Sequence, residues 1–160
     1  MRAWRQPTPL GDLSVILGDD GIYRLSLPAE PPPPDLDTVP ERDEALAREL
    51  DEYFAGKRTK FGVGIDLSEY RPDHFGVRVL TTLHAHVPWG ETVSYGELAD
   101  MVGAPRAARA VGNVMAHSPI AVVVPCHRVI AADGRIGRYG RGGSSIKRAL
   151  LSLEGVHLSD

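Results

Sequence analysis

With a single cysteine, the 160-residue chain can form no internal disulfide and no zinc site built from several thiolates. It has no apolar run of the length a membrane helix needs. Its first residues, MRAWRQPTPLGDL, lack the apolar core of a secretory signal. These absences predict a cytoplasmic protein whose lone thiol, Cys126, is either structural or reactive. The remainder is ordinary for a soluble globular chain: 42% hydrophobic and 24% charged residues, with 17 Gly and 13 Pro. The length favours one domain and admits two small ones.

Charge is unevenly spread. Residues 1–101 carry 10 Lys+Arg against 18 Asp+Glu, a balance of −8, while residues 102–148 carry 8 Lys+Arg against Asp133 alone, a balance of +7. An acidic body with a basic working face suits a polyanionic partner such as nucleic acid; an Arg-rich solvated surface accounts for the charge equally well.

Alternation over residues 13–27, broken by Gly18-Asp19-Asp20-Gly21, predicts a β-hairpin. The proline run that follows, over residues 28–35, is an extended connector. A helix is expected over 41–54, with Leu46, Leu50 and Tyr53/Phe54 on one face, and a short strand over 61–67. Pro72 opens a second helix reaching His86, on which His84 and His86 point apart and share no metal. Ser94 and Glu97 fit a capping box for a helix over 94–102, and Gly103-Ala104-Pro105 separates it from another over 106–116. Two short helices around a Gly-containing turn make a helix-turn-helix pattern, whose second member, AARAVGNVMA, is rich in small residues. Such a helix packs closely either on another helix or in a DNA groove. Residues 120–124 (IAVVV) read as a buried strand, ended by Pro125 and delivering Cys126-His127-Arg128. A basic glycine-rich loop over 135–145 precedes a last amphipathic helix over 146–153. That loop lacks the lysine and the strand-to-helix setting of a P-loop, so nucleoside triphosphate binding is rejected.

A lone Cys is commonly an inert core residue. Here His127 and Arg128 follow it in a basic region, and positive potential favours the nucleophilic thiolate. Neighbours on an extended chain point to opposite sides, so His127 would act on Cys126 through a water or in a tight turn. Glu154 could orient His127; by sequence alone it reads as an exposed acid after the last helix.

The motif PCHRVI at 125–130, preceded by ETVSYGELADMVGAPRAARAVGNVMAHSPIAVVV and followed by LLSLEG, resembles the O6-alkylguanine-DNA alkyltransferases over about residues 75–155. The resemblance implies an α+β fold: a small N-terminal ribonuclease-H-like α/β domain over 1–70, and a C-terminal helical domain over 71–160 with a winged helix-turn-helix and active-site cysteine. It implies irreversible, single-turnover transfer of the alkyl group from guanine O6 to Cys126, with O4-alkylthymine a further candidate substrate. His127 would deprotonate the thiol through a water, Glu154 would hold His127, and Tyr95 would protonate the leaving guanine. Arg109 would fill the space left by the flipped nucleotide, on a helix whose Ala108, Ala110 and Gly112 enter the minor groove; Arg128 is also assigned to DNA. Met115, Ser118, Val129, Tyr139 and Gly140 would line the substrate pocket. The implied partner is double-stranded DNA containing O6-alkylguanine, met by a monomer, with cooperativity on DNA left open. No cofactor, metal or membrane is implied.

The chain departs from the family pattern in places. Ser118-Pro119 stands where the family usually has Asn-Pro, which predicts a looser site or a compensating hydrogen bond. Phe75-Gly76 and Val79-Leu80 replace the usual Phe-Gln and Val-Trp, and the glycine-rich loop is one residue longer. A non-catalytic lesion-binding relative is the main alternative, and the presence of Cys126 argues against it. A Cys/His hydrolase fits the adjacent Cys-His pair poorly. A transcription regulator would need base-reading polar residues that the second helix lacks.

Overall fold

A computed structural model describes residues 1–28, 40–137 and 143–158. The fold is α+β. Strands β1 (Arg2–Gln6), β2 (Leu13–Gly18) and β3 (Gly21–Ser26) form an antiparallel sheet in the order β1-β2-β3. The predicted hairpin is β2–β3. Gly21 closes its turn at φ +130, where a Cβ would stand 2.6 Å from the Gly64 carbonyl oxygen, so only glycine fits. The proline run lies, from residue 29 onward, outside the described residues.

Helix α1 (Glu44–Phe54) starts later than expected, because Asp43 is its N-cap and accepts from the Leu46 amide at 2.9 Å. It buries Leu46, Leu50 and Tyr53 against the sheet side of the core. Each leucine so buried contributes roughly 1.5–3 kcal/mol. The strand expected over 61–67 does not form; only Ile65 bridges to Ile22. Helix α2 (Phe75–His86) is capped by His74 rather than opened by Pro72, and buries Val79, Leu80 and Leu83.

Ser94 ends β4 (Val93–Ser94) and caps α3 (Tyr95–Met101) with the full Ser94–Glu97 capping box. Helix α4 (Ala108–Ala116) completes the helix-turn-helix and packs on α3. Arg78 of α2 donates through Nη2 to the Val102 carbonyl at the end of α3. Strand β5 (Val129–Ile130) pairs in parallel with β4, Val93 opposite Val129 and Ser94 opposite Ile130. This pairing docks the start of α3 beside the chain that leaves the cysteine. Helix α5 (Gly143–Leu153) closes the described fold.

The predicted strand over 120–124 is instead a buried succession of turns. Among the described residues its one ladder contact is a bridge from Ile120 to Leu25. Full burial of an apolar run does not require a strand; here Val122 at φ +66 bends the chain out of extension. One continuous apolar core joins β2, β3 and α1 to α2, α3, α4 and the cysteine segment. Among the described residues no helix is long and apolar enough to cross a membrane.

Candidate active site

Cys126, His127 and Arg128 form one turn of 3-10 helix, all three buried. The tight turn, not an extended chain, therefore carries the thiol and its neighbouring imidazole. Below them sits Glu154, just past α5, buried rather than the exposed acid its position suggests. Its carboxylate gathers four donors. Oε2 accepts from the Tyr53 hydroxyl at 2.6 Å, His127 Nε2 at 2.8 Å and Arg128 Nη2 at 2.9 Å. Oε1 accepts from Arg128 Nε at 2.8 Å.

These contacts set the charge states. Burial pushes Glu154 upward, but hydrogen bonds and charge from His127 and Arg128 outweigh it and bring the carboxyl down to about 2. Burial pushes the His127 imidazole below its ordinary value, aided by the Arg128 and Lys147 charges and opposed by Glu154. Neutral His127 beside a carboxylate must donate through Nε2–H, which leaves the lone pair on Nδ1. Arg128 supplies the compensating charge for Glu154.

Arg128 is thus corrected as a DNA contact. It is buried, its fork is bound to Glu154, and Nη1 donates to the Val87 carbonyl at 2.6 Å. Its charge is neutralised inside the fold. Lys147 is likewise buried, donating through Nζ to the Val129 carbonyl at 2.6 Å. The sequence balance of +7 therefore overstates the basic surface, since two of its cations face inward.

Lys147 and Tyr53 are the site residues that sequence reasoning missed. Lys147 falls three and four residues before the buried Leu150 and Leu151, on the apolar stripe of α5, where a cation is out of place. That was a readable signal. Burial lowers its ammonium to about 8, against an upward pull from Cys126. Its Nζ also lies 5.9 Å from the Tyr95 ring centroid. Tyr53 offered no signal beyond its place on the buried face of α1.

Tyr95 is the first residue of α3 and is partly buried. Burial raises its phenol, with a further rise from Cys126, so it stays protonated at neutral pH. Gly112 turns toward it: a Cβ there would stand 3.8 Å from the Tyr95 ring, ordinary contact distance. Arg109 and Ala110 are exposed on α4, and Ala108 is partly so. Met115 packs against the core. Ser118 makes two 3.4 Å contacts with the backbone of Ile120. Val129 is buried and offers its carbonyl to Lys147. Tyr139 and Gly140 lie outside the described residues. Among those residues, no three or more His, Cys, Asp or Glu gather as a metal site.

Comparison with known proteins agrees with this architecture. Residues 74–156 match the family model of the 6-O-methylguanine DNA methyltransferase DNA-binding domain. A methylated-DNA–protein-cysteine methyltransferase of Mycolicibacterium paratuberculosis is 42% identical over 153 residues, covering 94% of this chain and 90% of that protein. One of Mycobacterium bovis is 55% identical over 106 residues; the match covers 66% of this chain but only 61% of the relative's length. The crystal structure of Mycobacterium tuberculosis OGT in complex with DNA superposes with a TM-score of 0.87 at 40% identity, over 97% of this chain and 93% of that one. The chain belongs to the methylated-DNA–protein-cysteine methyltransferase family.

Proposed function

We propose that this chain repairs DNA by moving the alkyl group of O6-alkylguanine onto its own Cys126, once per molecule. The observation that carries the reading is the sole thiol of the chain, held in one tight turn with a neutral histidine backed by a buried carboxylate. The thiol gives its proton, through a water, to Nδ1 of His127. The resulting imidazolium is stabilised by Glu154, which remains ionised. The buried Lys147 ammonium favours the thiolate. Sulfur then attacks the alkyl carbon; the S–C bond forms as the C–O6 bond breaks, and the electron pair passes to the guanine ring. Tyr95, still carrying its proton, donates to the guanine N3 and neutralises the developing charge.

Guanine O6 lies inside the base stack, so the nucleotide must be extruded before sulfur can reach it. The exposed Arg109, flanked by Ala108 and Ala110, gives α4 a cation on a slim surface suited to a minor groove, with Arg109 filling the vacated space. Duplex DNA carrying O6-alkylguanine is the proposed partner, with O4-alkylthymine as a further candidate substrate. A monomer suffices for the chemistry, since every proposed group comes from one chain. A thioether has no route back to the thiol here, so the protein is consumed.

Cys126→Ser tests the assignment. Transfer is lost while lesion-containing duplex still binds; transfer persisting in this variant removes Cys126 as the acceptor.

A further inference from the structure

The last turn of α2 holds the chain on both sides of Cys126, and we propose that His84 is a positioning residue for the thiol. For its rate readout this inference rests on the proposed transfer. The segment entering the cysteine contains two γ-turns. The Val123 amide donates to the Ala121 carbonyl at 2.7 Å across Val122, and the Cys126 amide donates to the Val124 carbonyl at 2.8 Å across Pro125. The first turn is costly, because Val122 is β-branched and sits at φ +66. Such a conformation persists only where its surroundings over-determine it.

The entry to the segment is fixed by β3. The Leu25 amide donates to the Pro119 carbonyl at 3.0 Å, and the Ala121 amide to the Leu25 carbonyl at 2.9 Å. Ser118 adds little, since both its contacts are 3.4 Å long and reach only Ile120. Past the strained residue, the hold comes from α2: His84 Nδ1 lies 3.1 Å from the Val123 carbonyl oxygen. A carbonyl only accepts, so Nδ1 carries the proton and donates. Two residues after the cysteine, Arg128 Nη1 donates to the carbonyl of Val87, which caps α2. His84 and Val87 belong to the same helical turn. Val123 and Arg128 are thereby tied to one rigid support, with Cys126 between them.

A cavity of about 390 Å³ adjoins this clamp and is lined by His84, Val87, Val122, Val123 and Arg128 among others. Space is therefore available into which the strained turn can relax once the imidazole is gone. The tie at His84 reaches the turn from a residue 39 positions away in the chain.

The test uses the free base O6-benzylguanine as alkyl donor and amide hydrogen exchange over residues 122–126 as a second readout. His84→Ala slows transfer to Cys126 about 5–10-fold, the range expected for one lost hydrogen bond. It speeds exchange of the Val123 and Cys126 amides by a similar factor. Affinity for lesion duplex, measured with Cys126→Ser also present, stays within about twofold. His84→Asn keeps a donor at the same position along the side chain and restores rate and protection. A His84→Ala rate within about twofold of wild type overturns the proposal, as does DNA affinity falling in step with the rate. Should the alanine variant fail to fold, His84→Leu is compared with His84→Asn, and equal rates and exchange in the two overturn it. If the wild type transfers nothing, the functional reading falls, and the exchange comparison still decides the role of His84.

Discussion

Replacing Glu154 by Gln separates a working charge array from a merely packed one. The carboxylate takes four donors, from Tyr53, His127 and two nitrogens of Arg128. An amide has one acceptor oxygen. Its better placement puts that oxygen at the Oε2 position, where three donors converge, and turns the NH₂ against Arg128 Nε. The buried guanidinium then lacks its counter-charge. Leaving one partner of a buried pair uncompensated costs about 3–5 kcal/mol, and three retained hydrogen bonds place this case near 3. For a chain of this size, about 2–4 °C is lost per kcal/mol, so calorimetry should show a midpoint lower by about 6–12 °C. The imidazolium formed at His127 also loses its partner. Loss of general-base assistance slows transfer about 100-fold or more, followed as single-turnover loss of lesion from duplex. A Glu154→Gln protein melting within about 2 °C of wild type and reacting within about threefold would refute the charge-array argument.

Other expectations bear on the DNA face and on pH. Arg109→Ala should slow repair of duplex lesions at least tenfold more than reaction with a free O6-alkylguanine base, because only the duplex needs the flipped nucleotide replaced; equal losses in single-turnover assays exclude that role. Stability should fall as pH drops from about 4.5 toward about 2, because Glu154 holds its proton more weakly folded than unfolded. Between about 8 and 10.5 the unfolded chain binds more protons at Lys147 than the folded one, so the Lys147 contribution to stability should rise with pH there, by about 3 kcal/mol at most, opposed near pH 10 by the raised Tyr95 phenol. Lys147→Met should remove that alkaline rise in denaturation curves; an unchanged slope places the titration elsewhere.

Local chemistry was the most legible part of the sequence. Ser94 and Glu97 are three apart and cap α3 as their spacing predicts, because both bonds close within one turn. The β2–β3 hairpin was equally readable from its turn. β1 was not: Arg2 and Arg5 break its apolar alternation, and pairing with β2 is what makes it a strand. Residues 120–124 misled for a different reason. Their apolar side chains are buried on all sides, so no periodicity separates a strand from a run of turns.

The site divides in the same way. Cys126 and His127 are adjacent in sequence, and their motif was visible. The hydrogen-bonded network beneath them joins Tyr53, Arg128 and Glu154 from three parts of the chain, and the buried Lys147 holds the Val129 carbonyl beside it. The sequence reading placed Arg128 with the DNA-binding residues. Only the fold reveals that Glu154 lies against it.

Transfer to Cys126 is read out by incubating the protein with a duplex carrying one O6-methylguanine, digesting it, and weighing the peptide that contains Cys126. The expected result is a gain of one methyl group on that peptide, never more than one per molecule. An unmodified peptide from protein that nevertheless binds the lesion would contradict it, and would leave a protein that recognises the damage without repairing it.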